Sequence, residues 1–526
     1  MSYRTPQKSW PNIEAARDAA AERLAVEIGA ENVIVGTGPL DQYYDPFPVG
    51  PASEFEPGLA IRPGSVEEVQ AVLRIANEVD LPLWTVSQGR NNAYGGGSPR
   101  LPGAAVLDLR RMNRILDIDE VNGTALLEPG VRFFDLHAAL VEGGYAWWCS
   151  VPDLGWGSVV GNAMDRGFGY TPYGVHNDMS CGLEVVLPGG QVVRTGMGSM
   201  AGSKTWQIYK PGFGPAMDGV FAQSNYGVVT KMGTWLMPRP EEWVAYDISV
   251  PRFDDLEVYI DTMRPLKLDG TIQSNVIVGD VLGHASFMAP RAEFYTNPEP
   301  IPDDVIDEIA KKLGLGRWNG HFGIYDRSEM LDVRMRVVED AFGKIPGVNI
   351  KATRYRGDAK PDEVAPWHQT RAGIAGMNAV SLPDWWGGRG GHLGLAPVSP
   401  LKGEDALRQA AITRKRFEEY GFDLITSFTA GNRHMCHVAE LTFDRDNAEQ
   451  VARAREVFGL LVDDFARDGY GEYRTHIAFM DLVASVYDFN DNALLRLQEQ
   501  FKDAVDPNGI LSPGKSGIWP ARLRAQ

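Results

Sequence analysis

The stretch GEYRTH sets Tyr473 beside Arg474. A phenol next to an always-charged guanidinium can hold an oxyanion through charge-assisted hydrogen bonds, or give up its own proton more easily. The same stretch also reads as a strand with one face buried and one exposed. Asp153 follows Pro152 in an apolar setting. A carboxyl there can have a displaced pKa and move a proton, or it can simply cap the next turn. His392, one of nine histidines, comes after a tryptophan pair and four glycines in five positions. It reads either as an ordinary loop histidine or as a ring that a flat ligand approaches, because glycine removes side-chain bulk. Lys515, in DPNGILSPGKSG, is an exposed turn charge or a cation facing the negative end of a cofactor.

Two further stretches could cradle such a cofactor. SQGRNNAYGGG carries Ser87, Gly89, Arg90, Asn91, Asn92 and Tyr94 after a strand-like run. Loops of this kind present several backbone N–H groups in a concave array, which suits a pyrophosphate. It is not a G-x-G-x-x-G turn opening a helix, so a Rossmann reading does not follow. In VPDLGWGSVVGNAMDRGFGYTPYG, Gly157, Ser158, Gly161 and Asn162 could form a second loop facing phosphate or flavin. Glycine and aromatic residues alternate through these stretches and in NYGVV. That pairing suits either turns with hydrophobic plugs or a pocket for a flat ligand.

Other chemistries lack their spacings. There is no H-E-x-x-H, no Walker loop and no G-x-S-x-G elbow. His434 and His437 flank Cys436, but no second ligand cluster accompanies them, and no metal is expected. The three cysteines, Cys149, Cys181 and Cys436, are too few and too widely spaced for a disulfide framework. A formal net charge of −18 argues against nucleic acid or an anionic membrane as a partner. The N-terminus has no apolar run after its early basic residues, and no stretch of about 18 apolar residues exists. A soluble cytoplasmic protein is the expectation.

These residues must be positioned by a chain of 526 residues, too long for one ordinary core. Up to about residue 235, short strands alternate with helices. Ser65 to Glu68 has the form of a capping box, and Val69, Leu73, Ala76 and Val79 follow at helical spacing. LPLWTVSQG, residues 104–109 and 124–130 read as strands; FFDLHAALVEGG reads as an amphipathic helix ending in glycine. LEVVLPGGQVVRTG reads as two strands joined by a turn. A change of pattern with two prolines at 237–245 marks a boundary. Helices follow at about 253–264 and 403–420, then the strands DLITSFTAG and HMCHVAELTF, then a long helix from Asn447. Beyond Gly469 the chain returns to short motifs. The pattern predicts an α+β fold in three segments, 1–240, 241–468 and 469–526.

Taken in order, SQGRNNAYGGG, PDLGWGSVVGN, DRGFGYTPYG, SNYGVVTKMG, GGHLGLAPVSP, GYGEYRTH and DPNGILSPGKSGIW resemble the vanillyl-alcohol oxidase family of flavoproteins, which includes the para-cresol methylhydroxylase flavoprotein. Within the family the likeness is greatest to the bacterial eugenol oxidases, from about Tyr44 to the C-terminus. The resemblance implies a FAD-binding domain formed by both chain ends (1–240 and 469–526) and an α+β cap domain (241–468). It implies oxidation of phenols with a carbon substituent para to the hydroxyl. Oxygen would be reduced to hydrogen peroxide; the alternative is transfer of electrons to a cytochrome or other acceptor.

By the same resemblance His392 would bond covalently to the flavin 8α carbon, with the glycines letting its loop approach the ring. Asp384 stands where para-cresol methylhydroxylase has its linking tyrosine. Tyr94, Tyr473 and Arg474 would bind the phenol oxygen as a phenolate. Asp153 would act near the reacting carbon, and Lys515 beside the flavin N1–C2 carbonyl edge. Ser87, Gly89, Arg90, Asn91, Asn92, Pro152, Gly157, Ser158, Gly161 and Asn162 would hold the cofactor. Leu395 and Trp385 would be pocket walls. A homodimer or higher homo-oligomer is expected.

Overall fold

The computed structural model describes residues 9–524. The first eight residues, part of the N-terminal stretch read above, lie outside it. Helices pack on sheets throughout, as an α+β pattern requires.

The first sheet has four strands in the order Val33–Ile34, Leu59–Ile61, Ala105–Asp108, Leu83–Val86, with the last three parallel. Every residue of Leu59–Ile61 and Ala105–Asp108 is buried, so these runs read as continuous rather than alternating. Helix Val66–Val79 covers them through Val69, Val72, Leu73, Ile75 and Ala76. Its cap departs from the expected box by one residue. Ser65 Oγ accepts from the Glu68 amide at 3.2 Å, but the Glu68 carboxylate reaches back to the Gly64 amide, at 2.7 Å. The second sheet is antiparallel, in the order Ile115–Asp119, Thr124–Leu127, Val228–Trp235, Ser180–Val186, Val192–Arg194.

From Glu242 the chain enters a nine-stranded antiparallel sheet. Its order is Asn349–Arg356, Glu242–Val250, Trp318–Asp326, Val276–Asp280, Thr426–Ala430, His434–Asp444, Pro397–Pro400, Gly471–Glu472, with Gly390–Leu395 also paired to His434–Asp444. The helices expected near 253–264 and 403–420 are Asp255–Leu268 and Gly403–Glu419; with Ser328–Phe342 they bury Tyr259, Met263, Phe342 and Ala410 against the strands. Helix Ala448–Arg467 packs on the other end of the sheet through Val457, Phe458, Leu461 and Phe465. No helix among the described residues is long and apolar enough to cross a membrane.

Candidate active site

One cavity of about 1880 Å³ runs between the nine-stranded sheet and the first two sheets. Ser87, Gly89, Arg90, Asn91, Asn92, Tyr94, Pro152, Asp153, Gly157, Ser158, Gly161, Asn162, His392, Tyr473, Arg474 and Lys515 all line it. Residues from three remote parts of the chain thus meet on one surface.

The loop after strand Leu83–Val86 turns at Gly89, whose φ of +61° is a conformation side chains resist. The backbone N–H groups of Gln88, Gly89, Arg90 and Asn91 meet no acceptor among the described residues. The facing segment starts a short helix at Ser158, whose hydroxyl accepts from the Gly161 amide at 2.9 Å and donates to the Pro129 carbonyl at 2.6 Å. A Cβ on Gly161 would overlap the Ser87 hydroxyl, so the two loops pack directly together. Asn162 is engaged with the buried His176 ring at 2.6 Å, and burial pushes that histidine down to about 3.

At another part of the wall, Arg474 Nη2 donates to the Tyr94 hydroxyl at 3.1 Å, and the guanidinium lies 4.2 Å from the Tyr94 ring centre and 5.6 Å from that of Tyr473. Burial raises the Tyr94 phenol, while the Arg474 charge pulls it back. Burial also raises Tyr473. For Arg474 burial works against the charge, but the two phenols and Asp165 outweigh it, so the guanidinium stays charged. This is a fixed cation with two phenolic hydroxyls beside it, the donor set an incoming oxyanion needs.

Asp153 accepts a short hydrogen bond from the Tyr170 hydroxyl. Burial raises the carboxyl above its ordinary value, against the Tyr170 bond and the Arg371 charge, which lower it. Arg371 lies over the Tyr170 ring at 5.5 Å. Lys515 Nζ pairs with Asp165 at 2.9 Å, and Asn91 donates to the other carboxylate oxygen at 3.2 Å. Burial alone would raise Asp165, but Lys515 and Arg474 hold it low.

His392 lies in a strand rather than in a loop. In Gly390–Leu395, His392 is in register with Thr442 and Gly394 with Glu440. Alternation puts these on one face, and His392 Nε2 bonds the Glu440 carboxylate diagonally across the strands. Two of the glycines also have a packing reason. A Cβ on Gly390 would overlap the Pro383 carbonyl, and one on Gly391 would meet Phe443 at 2.7 Å. They let the turn Leu382–Trp386 and the neighbouring strand close around His392.

Two expected wall residues are elsewhere. Trp385 is fully buried away from the cavity, donating to Asp423 Oδ2 at 2.8 Å beside Arg291. Leu395 packs among Phe417, Leu441 and Phe458. Asp384, next to Trp385, does line the cavity. Strand alternation sends His437 to the opposite face from His434 and Cys436, and His437 stacks on Phe428 at 4.4 Å. The three cysteines are free and buried. Tyr170, Arg371, Glu440 and Glu472 also line the cavity, though none was singled out; Tyr170 lies in DRGFGYTPYG and Glu472 in GEYRTH, and no local pattern points to Arg371 or Glu440.

The cavity exceeds the roughly 300–1,000 Å³ of an ordinary small-ligand pocket. Buried polar atoms without partners sit on its lining residues: Thr85 Oγ1, Asn225 Oδ1, Glu472 Oε2, Arg474 Nε and Thr475 Oγ1. Buried polar atoms are normally satisfied. With the free amides of the 88–91 loop, they fit a large polar cofactor lying along the wall.

The fold and this wall define a flavin-dependent oxidoreductase. A FAD binding domain family matches residues 57–196, and the C-terminal domain family of FAD linked oxidases matches residues 398–516. The 4-cresol dehydrogenase [hydroxylating] flavoprotein subunit of Pseudomonas putida is 39% identical over 503 residues, covering 95% of both chains. A 4-ethylphenol oxidase from Gulosibacter chungangensis, solved with isoeugenol, superposes with a TM-score of 0.93 at 37% identity, over 99% of this chain and all of that one. A p-cresol methylhydroxylase with substrate bound gives 0.91 at 37% identity, over 96% and 98%. The chain belongs to the vanillyl-alcohol oxidase family of FAD-linked oxidoreductases, and its cofactor is FAD.

Proposed function

We propose that this enzyme is an oxidase of para-substituted phenols, 4-alkylphenols and vanillyl-type alcohols, with molecular oxygen as electron acceptor. The observation that carries this reading is Arg474 bonded to Tyr94 with Tyr473 alongside, all facing one cavity. Bound there, a phenol loses its proton and the two hydroxyls and guanidinium hold the phenolate. The phenolate pushes electron density toward the para carbon, so a hydride can leave the benzylic carbon and a para-quinone methide remains. When bound, FAD would supply the hydride acceptor, and its electrons would pass to oxygen to give hydrogen peroxide.

Asp153, aligned by Tyr170, takes the proton of water adding to the quinone methide, or that of an alcohol substrate. Alcohols then give aldehydes; alkylphenols give alcohols by water addition or alkenes by proton loss. His392 is the residue for covalent attachment of the flavin, and Glu440 orients its ring. Lys515, tied to Asp165, presents its ammonium to the same wall. In this reading, residues 1–240 and 469–526 hold the cofactor and 241–468 form the cap.

Anaerobic mixing with vanillyl alcohol and with 4-ethylphenol, followed by air, tests it. Flavin bleaching that reverses in air with peroxide formed is the expected result. Bleaching that persists in air, with fast turnover on an artificial acceptor, would replace it by the dehydrogenase reading that the 39% likeness to 4-cresol dehydrogenase supports. No bleaching with either phenol would sink the phenolate site.

A further inference from the structure

On the nine-stranded sheet, five polar side chains form a chain of bonds that the proposed chemistry does not use. Asp247 in Glu242–Val250 is in register with His321 in Trp318–Asp326. His321 Nδ1 bonds Asp247 Oδ1 at 2.7 Å, and His321 Nε2 lies 2.7 Å from His284 Nε2. His284 Nδ1 is 2.9 Å from the Asp280 backbone carbonyl. On the other side, His368 Nε2 lies 3.0 Å from Asp247 Oδ2, and His368 Nδ1 lies 3.0 Å from the Tyr355 hydroxyl. His284, His321 and Asp247 line the cavity.

Proton bookkeeping on these bonds has few solutions. A backbone carbonyl only accepts, so His284 Nδ1 must carry a hydrogen. Asp247 faces ring nitrogens on both oxygens; burial would raise it, but the two histidine bonds hold it far below its ordinary value. An ionised carboxylate only accepts, so His321 Nδ1 and His368 Nε2 carry hydrogens too. Two neutral rings would then point bare Nε2 lone pairs at each other across 2.7 Å, which is a repulsion. A hydrogen bond of that length needs a proton between them. A metal ion does not fit there, because imidazole nitrogens bind zinc at about 2.0–2.1 Å each.

We propose that His284 and His321 form a site for one shared proton, an imidazole–imidazolium pair that neutralises Asp247 on the cavity wall and so leaves Arg371 free to attract an anionic para chain on the substrate. The first half stands on the bonds alone; the second rests on the phenol reading above. Arg371 supports it. The guanidinium is almost fully buried, its Nε has no partner, and its ends reach only the Trp367 carbonyl at 2.8 Å, the Thr370 hydroxyl at 3.4 Å and the His321 carbonyl at 3.4 Å. Lys351 follows Asp247 across the next strand pair and lines the same end.

Burial pulls against the shared proton, lowering His321 and, with the neighbouring His321 and Arg371, taking His284 down to about 4. The groups facing the pair are Asp247 and His368, which favour and resist the charge respectively, and Arg371, which resists it. The Asp280 carboxyl caps helix Val281–Ser286, accepting from the Leu282, Gly283 and Thr426 amides, and burial raises it to about 7. Tyr259 packs near Asp247. As pH rises the pair loses its proton, the Nε2 contact opens, and Asp247 becomes an uncompensated anion beside Arg371.

The test is nitrogen-15 NMR of the FAD-loaded enzyme with labelled histidine, assigned with His284→Gln and His321→Gln. The expected result at pH 6 is three N–H protons on the two rings, and a neutral His321 in H284Q. Two neutral rings throughout, or bound metal found by elemental analysis, would overturn the site. Binding of 3-(4-hydroxyphenyl)propanoate and 4-ethylphenol, read from flavin absorbance, tests the second half. H284Q should weaken the carboxylate about tenfold, the effect of one unbalanced charge at partly screened distance, and move 4-ethylphenol less than about twofold. Equal shifts for the two ligands would overturn the charge selection. If neither phenol binds the unsubstituted enzyme, the phenol reading fails while the NMR still decides the proton site.

Discussion

Arg474 sits over the face of Tyr94, 4.2 Å from its ring centre, while its Nη2 donates to the same residue's hydroxyl at 3.1 Å. One side chain thus fixes the ring by cation–π contact and aligns the hydroxyl by a hydrogen bond. Arg474 follows Tyr473 directly in sequence, so one peptide step and one long-range contact bring the guanidinium and both phenols together.

Removing one hydroxyl should therefore weaken phenolate binding without dismantling the wall. Tyr473→Phe and Tyr94→Phe are each expected to raise the dissociation constant of a phenolic ligand about 10–100-fold, the range for a hydrogen bond to a charged group, about 1.5–3 kcal/mol. Arg474→Met should cost more, because the phenolate would then be buried without its counter-charge. Titration of flavin absorbance with 4-ethylphenol measures all three. Unchanged binding in Y473F would remove Tyr473 from the site.

Asp153 carries a pH signature. Burial raises its carboxyl, and the Tyr170 hydroxyl lowers it by donating to the charged form. Activity that needs the carboxylate appears as pH rises through this elevated value, so the acid limb of the kcat profile should lie above the ordinary carboxylate range. Tyr170→Phe removes a lowering influence and should move the limb higher still. Asp153→Asn should abolish the limb and reduce kcat by about 10²–10⁴-fold, the usual contribution of a positioned base. A raised native pKa means that the folded state binds more protons than the unfolded one near that pH. This carboxyl's contribution to stability therefore falls as pH rises through it, and D153N should flatten that part of a thermal-unfolding profile.

The distribution of these residues explains what could be read before the structure. Tyr473, Arg474, Asp153 and the 87–94 loop sit in motifs whose local composition already restricts their chemistry, and all face the cavity. The helices at Val66–Val79 and Gly403–Glu419 followed from spacing, because their buried faces repeat with the helical period. Glu440 was hidden, since its partner His392 lies 48 residues earlier and only the strand register joins them. Arg371 was hidden in a 3-10 turn with no period of its own. Trp385 and Leu395 misled for the opposite reason. Closeness to His392 in sequence does not fix direction, and strand alternation and the Asp423 bond turn both away.

A stability prediction comes from the C-terminal segment. Lys502 is fully buried, and its ammonium donates to the Asn225 carbonyl at 2.8 Å, the Leu511 carbonyl at 2.6 Å and Asp506 at 2.6 Å. Burial lowers its pKa even so. This one cation ties the last long helix to two loops that border the cofactor wall. Lys502→Met leaves Asp506 and two carbonyls short of a donor, and is expected to cost about 3–5 kcal/mol. A fall in thermal midpoint of the FAD-loaded enzyme measures it, and a change indistinguishable from zero would contradict the pairing.

His392 and Glu440 give the last prediction. The carboxylate holds the Nε2 edge of the ring by a short bond, which leaves Nδ1 as the nitrogen not engaged by that partner. Covalent attachment needs a nucleophilic, deprotonated ring nitrogen. A carboxylate accepting from Nε2–H favours the tautomer with a bare Nδ1. His392→Ala should leave FAD bound only noncovalently, so acid precipitation would release yellow supernatant instead of yellow pellet. Glu440→Gln keeps the shape but loses the charge. The bond should then form more slowly when apoprotein is loaded with FAD, with a final extent like that of the unsubstituted enzyme. If the pellet stays yellow in H392A, attachment uses another residue. If E440Q loads at the original rate, Glu440 holds the ring in place without tuning it.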